Sequence, residues 1–225
     1  MKNTVLVWDY PTRIVHWTLV VCFVGLFITG DSERWRDIHA WLGYTMVALF
    51  TFRILWGFVG SRHARFSEFV KGPHEVMLYL RSLLQVRPIH YLGHNPAGAL
   101  AILALIVLGL TTGITGWMAL EEIGGEVFEE LHEGLSYAML AVVLLHVAGV
   151  VVSSLLHREN LVRAMVTGKK EGKSGDNDAR AHFALGILLL LLMLGLWGWA
   201  LNGHLPTTLL GGSSTEFRAE EDGDD

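Results

Sequence analysis

Long apolar runs, separated by polar connections rich in Gly, Arg and acidic residues, organise the whole chain. Apolar windows predict five spans, roughly Ile14–Gly30, Ile38–Val59, Pro96–Leu120, Leu131–Leu156 and His182–Leu201. At about 1.5 Å of helical rise per residue, each crosses or nearly crosses a hydrocarbon core about 30 Å thick. Lipid offers backbone groups no partners, and the runs lack a barrel's alternation, so helices are expected. The fold class predicted is therefore all-α, a polytopic membrane helix bundle. Met1–Arg13 precedes a long apolar run without a small-residue cleavage pattern, so the first span is expected to be retained. The connection Ser61–Leu92 has a weakly amphipathic stretch, Glu75–Leu84, that predicts an interfacial helix. The polar, Gly-rich stretch Gly168–Asn177 is expected to be a flexible linker, and the acidic tail Glu216–Asp225 to be disordered.

Composition agrees with a membrane protein. Of 225 residues, 52% are hydrophobic and 17% charged, against about 25% charged in soluble domains. Charge then orients the bundle. All but three of the 17 Lys and Arg, the exceptions being Arg34, Arg36 and Arg218, fall at one set of span ends. Asp31, Glu33, Asp37, the cluster Glu121, Glu122, Glu126, Glu129, Glu130, Glu133 and the acidic tail collect at the other. The positive-inside rule predicts a cytoplasmic amino terminus, five crossings of a bacterial inner membrane and a periplasmic carboxyl terminus. The eight Trp lie near predicted span ends, as an aromatic belt does. A single cysteine, Cys22, excludes disulfides, Cys-based zinc or iron–sulfur sites and c-type haem attachment. Neither Gly-rich phosphate-binding motif occurs, which argues against nucleotide chemistry, and no nucleic-acid partner is expected.

Against this background 11 histidines need a reason, because histidine at membrane depth is costly. Four sit in or just inside spans: His16, His39, His132 and His146. His132 and His146 are 14 residues apart, close to four helical turns, so both face one way about 21 Å apart along the axis. His16 begins the first span on the inner side, and His39 begins the second on the outer side. Two inner and two outer histidines result, each pair on different helices. A lone interfacial histidine is ordinarily solvated or capping. A matched set at complementary depths is what two bis-histidine haems stacked across a bilayer need, since neutral imidazole is a good axial ligand.

An internal repeat supports this arrangement. His39-Ala-Trp-Leu-Gly-Tyr-Thr-Met46 and His132-Glu-Gly-Leu-Ser-Tyr-Ala-Met139 share H-x-x-L-x-Y-x-M. Fourteen residues after His39 stands Arg53, where the later copy has His146. Arg53 thus faces the inner haem, where a buried cation suits a propionate, or else snorkels to the interface. Arg13 lies one turn before His16 and is counted with the haem-binding residues. Gly25, Gly30, Gly43, Gly109, Gly113 and Gly116 make room either for porphyrin faces or for close helix packing. In Gly93-His94-Asn95-Pro96, His94 and Asn95 open the third span at the depth of the inner haem. They either bind a quinone carbonyl and relay protons, or Asn95 simply caps the helix ahead of Pro96. Interfacial structure is expected for His63, His74, His90, His157, His182 and His204.

Val7–Trp17 (VWDYPTRIVHW), the His39 helix start, Phe52–Gly57 (FRILWG), Gly93–Pro96 and the 14-residue histidine pair together resemble the bacterial cytochrome b561/nickel-hydrogenase b-type cytochrome family over about Val7–Lys170. The resemblance implies a four-helix core, residues 1–170, holding two haem b with ligands from helices one, two and four. By position, His39 and His132 would hold the outer haem and His16 and His146 the inner one. It further implies electron transfer between the quinone pool and a periplasmic partner, either a c-type cytochrome or a hydrogenase- or dehydrogenase-like subunit. The chain would then be the electron-transfer subunit of a quinone-linked oxidoreductase complex. The acidic outer face is expected to dock a basic partner by charge steering, or to be a solvated surface only. Alternatives are a stand-alone quinone-linked oxidoreductase resembling superoxide oxidase, and a non-haem anchor or transporter. The fifth helix, with its linker (171–205), departs from the four-helix pattern and either holds a second subunit or closes the bundle to lipid; residues 206–225 form the tail.

Overall fold

The computed structural model describes residues 3–85, 89–172 and 181–204. Lys2, Arg87, Lys173, Arg180, Arg218 and the acidic tail lie outside the described residues. The chain begins with strand β1 (Asn3–Leu6) and enters helix α1 (Tyr10–Thr29). That helix starts earlier than the apolar pattern predicts. Asp9 caps it, accepting the Thr12 N–H at 2.9 Å, and Pro11 occupies the first turn, where its missing N–H costs nothing. Helix α2 (Arg36–Val59) follows a single 3-10 turn. The connection beyond it holds two short helices, α3 (Phe66–Phe69) and α4 (Pro73–Ser82), the latter starting and ending two residues before the expected Glu75–Leu84.

Helix α5 (Pro96–Leu120) runs over the predicted bounds and is capped by Asn95, whose Oδ1 accepts the Gly98 N–H at 2.7 Å. A tight turn leads into α6 (Glu126–His157), with Gly124 at φ 78° and Gly125 at φ 66°, a region few other residues adopt cheaply. Glu126 and Glu129 in its first turn suit the positive end of the helix dipole, which explains why α6 starts before its apolar run. At 32 residues, about 48 Å, it overreaches the hydrocarbon core, so its acidic start projects beyond it. Helix α7 (Leu161–Thr167), strand β2 (Lys169–Gly172) and helix α8 (Phe183–Trp199) complete the described chain. Among the described residues, five helices are long and apolar enough to cross a membrane.

The polar stretch expected to be a flexible linker begins instead as a strand. Lys169–Gly172 pairs antiparallel with Asn3–Leu6, Leu6 opposite Lys169 and Asn3 opposite Gly172. The reason is burial: Val5, Val7 and Trp8 pack with Ala164 into a small core, and the Val7 and Trp8 N–H groups donate to the Gly168 carbonyl at 2.8 and 3.0 Å. The rest of that stretch, 173–177, lies outside the described residues.

The helices pack in the order α6, α5, α2, α1, α8. The main core joins α1, α2, α5 and α6 through Val15, Cys22, Leu42, Met46, Leu49, Phe50, Ile106 and Met139. Three of the glycines serve close packing: a Cβ at Gly25, Gly109 or Gly113 would meet Leu42, Phe50 or Val47 within 3 Å. The fifth span closes the α1 side. Gly186 admits Tyr10, whose Cβ lies 2.6 Å from where a Cβ would stand, and Trp197 packs on the core with its ring 6.4 Å from Trp41.

Candidate functional site

The bundle has an acidic end and a basic end, and the histidines of interest separate between them. At the acidic end, α2 presents His39 and α6 presents His132, with ring centroids 6.2 Å apart and planes at 79°. His132 Nδ1 lies 2.9 Å from the Thr112 carbonyl of α5. A carbonyl only accepts, so Nδ1 carries the proton and Nε2 is left bare. Gly116 makes that reach possible, because a Cβ there would stand 2.7 Å from His132 Cε1 and Nδ1. His39 Nδ1 lies 3.2 Å from Thr29 Oγ1, whose hydroxyl already donates to the Gly25 carbonyl at 2.8 Å. The hydroxyl therefore accepts from Nδ1–H, and Nε2 of His39 is bare too.

Seven residues inward from each of these histidines, two turns along one face, stand Met46 and Met139, both 4% exposed. A further seven residues on stand Arg53 and His146. The repeat read from the sequence thus continues as a three-layer ladder along α2 and α6. Nothing lies within 4 Å of a Cβ built at Gly43, one turn inward from His39.

At the basic end His16 and His146 come within electrostatic reach of one another. His16 Nδ1 is buried with no hydrogen-bond partner. Arg53 is 7% exposed and does not snorkel: its guanidinium lies over the rings of Phe66 and Phe69, at 5.3 and 5.6 Å, and neither Nη has a hydrogen-bond partner. Asp9 is near, but its oxygens are taken by the Thr12 N–H and by Trp56 Nε1 at 3.0 Å. His94 is held between Trp8 and Phe69, centroids 4.4 and 4.7 Å away, with Nδ1 unpartnered. Burial, followed by the charges of Arg53, His146, Lys170 and His16, pushes its imidazole well below the usual histidine range, so it is a neutral group.

Two sequence expectations acquire a second role. Arg13 lies over the Tyr10 ring and donates from Nη2 to the Val166 carbonyl, and Trp17 Nε1 reaches the Met165 carbonyl at 3.4 Å. Together they tie α1 to the end of α7. Asn95 spends its Oδ1 on the α5 cap, which leaves its amide N–H groups for other partners.

Residues 7–168 match the family model for prokaryotic cytochrome b561. The chain belongs to that family. Among curated proteins it is 24% identical to the probable Ni/Fe-hydrogenase B-type cytochrome subunit of Bradyrhizobium diazoefficiens, over 76% of this chain and 87% of that protein. It is 27% identical to the similarly named subunit of Azotobacter vinelandii, over 74% and 88% respectively. To the probable Ni/Fe-hydrogenase 1 B-type cytochrome subunit of Escherichia coli K12 it is 28% identical, over 52% and 60%. No solved structure matches it. This cytochrome b561 is thus a b-type membrane cytochrome, an electron-transfer protein whose cofactor is haem b.

The residues of the acidic end fit such a group. Metal–imidazole bonds of about 2 Å put the centroids of two trans imidazoles about 6 Å apart, and His39 and His132 stand at 6.2 Å. Their Nδ1 atoms are engaged by Thr29 and Thr112, as the ring nitrogen away from the metal ordinarily is in a metal-bound histidine. The open space at Gly43 leaves room for a porphyrin face. At the basic end, the unpartnered Arg53 guanidinium lacks an anion, which a carboxylate-bearing cofactor brings. Thr29, Thr112 and Asp9 carry no sequence signal for these roles, because one acts through its backbone and two through contacts that only packing creates.

Proposed function

We propose that this cytochrome b561 holds two haem b and carries electrons across a bacterial inner membrane between the quinone pool and a periplasmic redox partner. His39 and His132 would hold the haem at the acidic, periplasmic end. His16 and His146 would hold the haem at the basic, cytoplasmic end, and Arg53 and Arg13 would offer it positive charge. The haems supply one-electron chemistry; the protein supplies ligation, orientation and electrostatics. His39 and His132 present bare Nε2 atoms, Met46 and Met139 fill the layer between the two levels, and Arg53 holds negative charge. The neutral His94 and the free amide of Asn95 offer a quinone carbonyl two hydrogen-bonding groups beside the inner haem.

The 6.2 Å pair with both Nδ1 atoms engaged is the observation that carries the reading. The names of the relatives favour a hydrogenase subunit as the partner, with a dehydrogenase-like subunit or a c-type cytochrome as the alternatives. Such a partner meets the exposed Asp31, Glu33, Asp37, Glu126, Glu129, Glu130 and Glu133. A redox titration of the purified chain is the test. It is expected to show a b-type spectrum in two one-electron components, reoxidised by a short-tailed quinone. A single component overturns the two-haem assignment, and no reoxidation overturns the quinone link.

A further inference from the structure

At the basic end lies a polar cluster that none of the roles above uses. Glu159, in the α6–α7 turn, receives His90 Nε2 on Oε1 at 2.8 Å and Lys170 Nζ on Oε2 at 3.0 Å. The Lys170 side chain is 4% exposed, deep for a lysine, and also donates to the Leu92 carbonyl at 3.0 Å. The His90 side chain is 42% exposed and opens the cluster to solvent. His157 stacks edge-on to His90 at 5.1 Å. Behind them is a polar cavity of about 20 Å³ that Gly93 and Asn95 also line. One ordered water needs about 10–15 Å³ and two to four polar partners, so the cavity suits one.

We infer that His90, Glu159 and Lys170 form the proton-uptake relay from the cytoplasmic surface to the quinone site at His94 and Asn95. The inference rests on the quinone reading above. Reducing one quinone turns two C=O groups into C–OH: two electrons come from the reduced haems and two protons from cytoplasmic solvent. The Lys170 ammonium gives a proton toward Asn95 through the cavity water. His90, protonated from solvent, then gives a proton to the ionised Glu159 carboxylate, which passes it to the emptied Lys170 amine. The hops between His90, Glu159 and Lys170 start from contacts of 2.8 and 3.0 Å, and the last crosses the small cavity that Lys170 and Asn95 both line.

The groups facing Glu159 are His90 and Tyr91 from the connection, Tyr79 from α4, His157 from α6 and Lys170 from β2. Burial pushes its carboxyl up, but hydrogen bonds and charge from Lys170 and His90 outweigh that and hold it below the usual carboxylate range. A surface ion pair would not need a buried lysine, a solvent-facing histidine and a water-sized cavity against the α5 cap.

The haem-loaded chain, reduced with dithionite and mixed with a short-tailed quinone in a lightly buffered indicator solution, tests the relay. Glu159→Gln is expected to leave the haem spectrum and midpoint potentials unchanged. It should slow haem reoxidation and the accompanying proton uptake by about tenfold or more, with a larger solvent isotope effect. Glu159→Asp should recover much of the rate. If Glu159→Gln loses haem, His90→Gln, at an exposed side chain, carries the same test and should slow uptake likewise. Normal uptake with an unaltered isotope effect in these variants overturns the relay alone. Failure of the unaltered chain to be oxidised by quinone overturns the relay and the quinone reading together.

Discussion

A Cβ at Gly116 would stand 2.7 Å from two atoms of the His132 ring, while a Cβ at Gly43 would touch no protein atom at all. The two glycines therefore make different predictions. Gly116→Val should push the imidazole off the Thr112 carbonyl and remove one redox component. Gly43→Leu is harmless to the protein packing but intrudes where a porphyrin face fits, so haem per chain should fall with helicity retained. Normal haem content in Gly43→Leu places the porphyrin elsewhere. Arg53 argues through charge. A buried cation favours the reduced state of a nearby haem, so Arg53→Met should lower one midpoint potential by roughly 60 mV, a tenfold shift for one electron, and leave the other in place. Equal shifts in both components would separate Arg53 from the inner haem. The His39–Arg53 and His132–His146 spacings are visible in the sequence because a helix turns them into common faces. The Thr29 and Thr112 partners are not, because each depends on how a neighbouring helix is rotated.

The elements at the basic end are tied by polar contacts as well as by the small apolar core of Val5, Val7, Trp8 and Ala164. Strands β1 and β2, the cap of α7 and the Lys170–Glu159–His90 contacts join the start of the chain to the segment after α6. Because the Glu159 carboxyl is held down in the fold, its ionised form stabilises the folded state above the ordinary carboxylate value of 4.5. That contribution is lost as pH falls through the lower, folded value. Acidification from about pH 5 to about pH 4 should thus lower the thermal midpoint of the haem-loaded protein more than that of Glu159→Gln. Equal slopes would remove Glu159 from the account. Helix α8 packs on α1 through apolar contact: Gly186→Leu drives a side chain into Tyr10 and should cost about 1–3 kcal/mol, lowering the melting temperature without altering the haem spectrum. The apolar pattern predicts this helix but not its place, since nothing along Phe183–Trp199 says which neighbour receives it.

Across the whole molecule, α6 packs on α5 and makes no extensive contact with α1 or α2, the helices that carry His16 and His39. Paired ligands on α1, α2 and α6 would make the haems the bridges between those helices. Haem-depleted protein should accordingly show faster amide exchange along α6 than along α2, and haem addition should reverse it. Unchanged exchange would mean that α6 is held by α5 alone. The charge division is also a property of the whole. With acids at one end, association with a basic redox partner should slow steeply as salt rises, on the scale set by a Debye length of about 10 Å at 0.1 M.

The sequence by itself determined the five helices, the separation of charge between the ends and the 14-residue ladder, because each is a local or periodic property that hydropathy and helical geometry express directly. It also carried the family resemblance. Only the tertiary structure decided that the Gly168 segment folds back as a strand on the amino terminus and that Arg53 is buried without a hydrogen-bond partner. It alone brought His90, Glu159 and Lys170 together from three distant segments. Those outcomes depend on which surfaces meet, and a backbone carbonyl or an empty space beside a glycine leaves no mark on the residue that will use it.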